Sequence, residues 1–174
     1  MFSGASHNFW INLLGFQLSW WLCIMFANTW LSVVWLLLAL HLFFHREPIV
    51  EAWSVLICAV IGFSIDTLLT SQGIFIFHNN DVVPPVWLLA LWLTFSATLR
   101  QSLSFFSKHY VMAAIFGALG GSGAYLAAEK FGEVSFGLSH WHSGLLLACI
   151  WAVLFPLLIW LSHIYSGDMC EEAI

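Results

Sequence analysis

Charge is what this chain has least of. Only 7% of its 174 residues are Asp, Glu, Lys or Arg, against ~25% in an ordinary soluble domain. So little polar surface cannot cover a fold in water, which excludes a soluble globule. Four basic residues and a net charge of −5 leave no cationic patch, which excludes nucleic acid as a partner. Cys23, Cys58, Cys149 and Cys170 form no C-x-x-C pair. They read as small packing residues, not as disulfides or a zinc site. Met1 to Asn8 contains no Lys or Arg, so the charged start of a cleavable signal peptide is missing. The first helix is therefore expected to act as its own insertion signal. The nucleophile elbow, the P-loop, the H-E-x-x-H zinc motif and a dinucleotide-binding glycine loop after a strand are also missing. No cofactor and no catalytic residue is expected.

Apolar sequence is what the chain has in excess, at 61% of its residues. A membrane-crossing helix needs ~20 apolar residues. The apolar stretches predict an all-α fold, a single domain built as a compact bundle of six transmembrane helices. The expected spans are 9–27, 30–44, 48–70, 86–106, 110–128 and 141–164. Pro48 suits the first turn of the third span. Asn79-Asn80-Asp81 reads as a turn. With six spans, Arg46, Arg100 and Lys108 fall on the side shared by both termini and Lys130 falls opposite. The positive-inside rule then places both termini in the cytoplasm. Among eleven tryptophans, Trp10, Trp30, Trp53, Trp87, Trp141 and Trp160 fall near span ends, where amphipathic rings favour the headgroup level. Trp20, Trp21, Trp35, Trp92 and Trp151 lie deeper, as lipid-facing bulk or as walls of a pocket.

Helices in lipid associate through small residues and buried polar groups. Span one carries Asn8, Asn12, Gly15, Ser19 and Cys23 at helical spacing. Span three carries Glu51, Ser54, Cys58, Gly62, Asp66 and Thr70. Span four carries Ser96, Arg100 and Ser104, widened by Gln101. Span five carries Gly117, Gly120 and Gly121. Spans one, three, four and five are expected to face one another, with the three glycines serving close packing.

A charge in hydrocarbon costs several kcal/mol, on the order of 3 by insertion scales, so it normally faces a partner or a wet cavity. Asp66 and Arg100 are therefore the leading candidates for function. Arg100 lies ~21 Å along its span from Val86 at ~1.5 Å per residue, level with Glu51 and far from Asp66. Glu51 is its expected partner. Asp66 is left for Lys130, a hydroxyl or a ligand. The residues expected to line a polar path are Asp66, Arg100, Glu51, Asn12, Gln17 and Gln101. His41 and His45 are four apart, and two histidines at that spacing can share a metal. With His163 at the same level they form a possible metal set, although an interfacial histidine is more often simply amphipathic.

The chain resembles an uncharacterised bacterial inner-membrane family, domain of unknown function 2878. The resemblance rests on Asn12-x-x-Gly15-Phe16-Gln17, Gly62-x-x-x-Asp66, Trp92 with Leu99-x-x-Ser102-Leu103, and Gly117-x-x-Gly120-Gly121-x-x-x-Tyr125. The chain departs from the family pattern at Ser122, where a proline is frequent, and at Arg100-Gln101, where Asn-His is frequent. The resemblance implies a place in the bacterial inner membrane and in membrane-lipid physiology. Three roles follow as expectations. The favoured one is an accessory or scaffold protein with the bilayer, a membrane protein partner or a second copy as its partner. The next is a small-solute or lipid transport subunit with a cavity at Asp66 and Arg100. The third is a lipid-modifying enzyme with a His/Glu site on the cytoplasmic face.

Overall fold

A computed structural model describes residues 9–77 and 82–164. The 79–81 turn, Asn8, Cys170 and the acidic residues after 164 lie outside them. Six α-helices account for most of the described chain: α1 (Phe9–Phe26), α2 (Leu31–Phe44), α3 (Pro48–Ser71), α4 (Val86–Ser96), α5 (Tyr110–Phe131) and α6 (His140–Ile164). Four of them, α1, α3, α5 and α6, are long and apolar enough to cross a membrane. The other two, α2 and α4, are apolar but shorter. Pro48 opens α3 at its first position, where its missing N–H costs nothing. Two short strands, β1 (Phe75–Ile76) and β2 (Ser135–Phe136), pair antiparallel with Phe75 opposite Phe136. They tie the α3–α4 connection to the α5–α6 connection. This end of the bundle is the ladder end below, and the end carrying Glu51 is the charged end.

Span four differs from its expected form. Its α-helix stops at Ser96 and is followed by tight turns through residue 103 and a 3-10 turn over Ser104–Lys108. The hydroxyls explain part of this. Thr98 Oγ1 bonds the carbonyl of Phe95 at 2.6 Å, and Ser104 Oγ bonds that of Gln101 at 2.7 Å. Such local bonds offer the backbone an alternative to the helix. Irregular backbone at membrane depth is tolerated only where protein or a cavity covers it. Ala97, Thr98, Leu99 and Ser102 are all buried. Asn12 on α1 supplies further bonds, with Nδ2 donating to the carbonyl of Ala97 at 3.0 Å and Oδ1 accepting from the hydroxyl of Ser102 at 2.6 Å.

The helix seams also differ in one respect. The tightest contact joins α5 to α6, a helix left out of the expected seam. A methyl group on Gly121 would lie 2.1 Å from the Trp151 ring, and one on Gly117 would lie 2.6 Å from Cβ of Phe155. Both glycines are thus required by close approach. Gly120 is different, because a methyl there meets nothing within 4 Å. Neighbouring residues in one helix therefore make a controlled pair. Gly121→Ala is expected to destabilise the fold by about 1–3 kcal/mol, the usual cost of overpacking, while Gly120→Ala leaves it nearly unchanged. Thermal unfolding in one detergent checks both; equal melting temperatures for the two variants would contradict the packing account.

Candidate functional site

Asp66 and Arg100, the two charges within expected spans, occupy separate places. Asp66 is 2% exposed, near the ladder end of α3. Trp92 Nε1 on α4 donates to its Oδ2 at 2.6 Å, and the Tyr125 hydroxyl on α5 donates to the same oxygen at 2.6 Å. Lys130 forms no ion pair with it among the described residues. Three helices therefore meet at one carboxylate oxygen through neutral donors. The seat for Trp92 is provided by Gly62, one helical turn before Asp66. A methyl at Gly62 would fall 2.2 Å from the Trp92 ring. The other face of Trp92 stacks on Trp151 with centroids 5.4 Å apart and planes within 5°. Trp151 in turn lies over Gly121. The order across the bundle is Gly62, Trp92, Trp151, Gly121: two indoles clasped between two glycines. Phe75 of the ladder stacks on Tyr125 at 5.0 Å.

Trp92, Tyr125, Trp151 and Gly121 line one side of a cavity of about 490 Å³, within the range of ~300–1,000 Å³ common for small-molecule sites. Eleven of its 25 described lining residues are aromatic. The lining follows α5 from Phe116 to Ala128, ~18 Å of helix at ~1.5 Å per residue. That is a little over half of a ~30 Å hydrocarbon core. The opposite wall is α1, from Leu13 to Ile24. Gln17, Phe116 and Gly120 line the cavity and are also exposed on the outside of the bundle. The opening therefore lies sideways between α1 and α5, not at either end. Gln17 stands mid-helix on that rim. Gly120, expected as a packing residue, keeps the mouth clear.

At the charged end, Glu51 is fully buried. Arg100 Nη1 donates to its Oε2 at 3.0 Å, and a second guanidinium nitrogen lies 3.7 Å from Glu47. His41 Nε2 is 3.0 Å from Oε1 of Glu51, and His45 Nε2 is 3.5 Å from Oε2. Arg100 thus meets Glu51 and not Asp66. His41 and His45 come together around that carboxylate, with the guanidinium as a third occupant. His163 bonds the carbonyl of Ile159 on its own helix at 2.8 Å. Among the described residues no three His, Cys, Asp or Glu side chains are arranged to hold a metal ion, so the His41, His45 and His163 metal set is not assembled. Asn12 straps the irregular segment of span four, as described above. Both amide atoms of Gln101 are buried without a hydrogen-bond partner, as is the hydroxyl of Ser96. A smaller cavity of about 260 Å³ separates α1 from α2, lined by Asn12, Ser19, His41 and Thr94.

Of the partners expected for Asp66, the hydroxyl is present and belongs to Tyr125; reasoning from charge missed the indole of Trp92. The available signal was Gly62 and Asp66 four apart on one helix face, a gap beside an acid that suits a large donor. The deeper tryptophans divide between the two expected places, with Trp20, Trp92 and Trp151 lining the cavity. Trp87, placed at the interface by its position, is buried and lines the cavity. Trp21 and Trp35 are exposed, as lipid-facing bulk would be.

The molecule is an all-helical protein of membrane type, with its polar groups gathered inside an apolar bundle. The family described as "Protein of unknown function (DUF2878)" matches residues 9–157, so the chain belongs to that family. No curated protein and no solved structure matches it. The family-like motifs Gly62-x-x-x-Asp66, Trp92 and Gly117-x-x-Gly120-Gly121-x-x-x-Tyr125 converge on the large cavity and its Asp66 wall. Asn12, from the remaining motif, accepts a hydrogen bond from Ser102 of the motif that also carries Trp92.

The charged cluster generates a stability prediction. Glu51→Ala leaves the 10% exposed Arg100 side chain without its buried anion, at an expected cost of about 3–5 kcal/mol. Adding Arg100→Leu removes the stranded charge and is expected to recover part of that loss. Chemical unfolding of the single and double variants measures it; purely additive losses would contradict the coupling.

Proposed function

We propose that this protein crosses the bacterial inner membrane six times and holds one lipid-like hydrocarbon guest within the bilayer, as an accessory or carrier protein of membrane-lipid physiology. The observation that carries this reading is the aromatic cavity with its sideways mouth between α1 and α5. A guest entering from the lipid phase reaches such a slot without crossing either headgroup layer. Its length along α5 matches roughly one leaflet's worth of chain. Its walls offer dispersion contacts and almost no unpaired polar group, which suits a hydrocarbon and disfavours a hydrated solute.

In this reading the fourth crossing is made by α4, the turns after Ser96 and the 3-10 turn to Lys108. Both termini lie on the cytoplasmic side with Arg46, Arg100 and Lys108, in keeping with the positive-inside rule. The enzyme alternative draws less support, because the Glu51 carboxylate is already engaged by Arg100 and His41. The transport reading survives in altered form. The cavity adjoins Asp66 only, and its contents are apolar.

Native mass spectrometry of protein extracted in mild detergent tests the reading. The wild-type protein is expected to retain one lipid-sized mass. Gly120→Trp, which fills the mouth, is expected to lose it. A bare protein, or a random ladder of adducts that is the same in both forms, would overturn the proposal.

A further inference from the structure

The guest-holding reading leaves the chemistry of the guest open, and the few unpaired polar groups on the cavity walls bear on it. Three polar side chains of the lining are already occupied. Trp92 and Tyr125 donate to Asp66, and the Thr98 hydroxyl donates to the carbonyl of Phe95. Gln17, Trp20, Trp87 and Trp151 also line the cavity and have no hydrogen-bond partner among the described residues. None of the four is sealed inside the protein as the Gln101 amide is. Three of them are indoles, which donate and do not accept. The free polar capacity of the walls is therefore mostly that of donors. Gln17 and Trp20 stand three apart on α1 and share one face of it. Gln17 lies ~12 Å from the start of α1 and ~14 Å from its end at ~1.5 Å per residue. That is close to the middle of a ~30 Å hydrocarbon core, where neither water nor headgroups supply a partner and an unbonded amide is costly.

Resting on the reading above, we propose that the cavity selects an uncharged lipid with a carbonyl oxygen at mid-bilayer depth: a long-chain ketone or quinone. Its oxygen accepts from the Gln17 amide on the rim, with the Trp20 indole one turn further along α1. Its hydrocarbon body lies against α5. Such a carbonyl accepts and does not donate, which complements walls that mostly donate. An alkane chain leaves those donors unpaired. A phospholipid keeps its polar atoms at the headgroup level, away from Gln17.

The symmetric ketone caprylone and the alkane pentadecane have the same chain length and differ only by a central carbonyl, so they isolate this interaction. Partitioning of each into bilayer nanodiscs holding the full chain is read relative to protein-free discs of the same lipid. The ketone is expected to be enriched about fivefold over the alkane, a factor equal to about 1 kcal/mol, as one net hydrogen bond gives. The infrared carbonyl stretch of the bound ketone is expected to fall below its value in protein-free discs. In Gln17→Leu the ratio is expected to collapse toward one and the stretch to return. The wild-type ratio decides the preference by itself, whether or not the variant folds. Equal enrichment of the two probes, or greater enrichment of the alkane, overturns the carbonyl preference and leaves the guest-holding reading standing. A ratio and stretch unchanged in a folded Gln17→Leu overturn the role of Gln17. Two copies per disc in the wild type and one in Gln17→Leu assign the amide to a second copy of this chain, which also overturns the inference. Enrichment of neither probe overturns this inference and the guest-holding reading together.

Discussion

One carboxylate oxygen organises the larger part of this molecule. Oδ2 of Asp66 accepts from Trp92 on α4 and from Tyr125 on α5, so a single buried acid joins three helices. In lipid no hydrophobic force draws helices together, and buried hydrogen bonds and close van der Waals contact take its place. The consequences spread outward from that bond. Trp92 is held flat against Gly62 and Trp151. Trp151 rests on Gly121 and sets the approach of α6 to α5. Tyr125 stacks on Phe75 and anchors the two-stranded ladder. The space between this wall and α1 is the cavity.

The charged end follows a different logic. There Glu51 is surrounded by Arg100, His41 and His45, and the irregular backbone of span four brings Arg100 to it. Asn12 holds that backbone from the neighbouring helix. The protein therefore has two polar centres of opposite construction. One is an acid bound by neutral donors beside open space, and the other is an acid bound by basic groups within packed protein. The first stands behind the cavity wall formed by Trp92 and Tyr125, and the second ties α2 and α3 to the irregular backbone after Ser96.

Much of the architecture was legible in composition and spacing. Long apolar runs located the helices, and Pro48 marked the start of α3. The level of Glu51 relative to Arg100 could be counted along two helices. The break after Ser96 was not legible, because residues 86–106 are apolar enough to read as one helix. The decision lies in hydroxyl bonds from Thr98 and Ser104 and in Asn12, a residue 85 positions from Ala97. The partnership of α5 with α6 was hidden for a related reason. Gly117 and Gly121 announce close packing without naming what packs, and the bulky residues that fill their hollows, Trp151 and Phe155, look like ordinary lipid-facing aromatics. Gly120 shows the limit of such patterns most clearly. It belongs to the same glycine run, yet it borders open space.

The most direct test of the account is where a lipid chain touches the protein. A phospholipid carrying a photoreactive diazirine along one acyl chain, reconstituted with the protein and illuminated, labels whatever that chain contacts. The account predicts adducts concentrated on α1 around Gln17 and Trp20 and on α5 between Phe116 and Ala124, the two sides of the mouth. Labelling spread evenly over outward-facing residues of every helix, such as Leu36, Val60 and Val153, would contradict it.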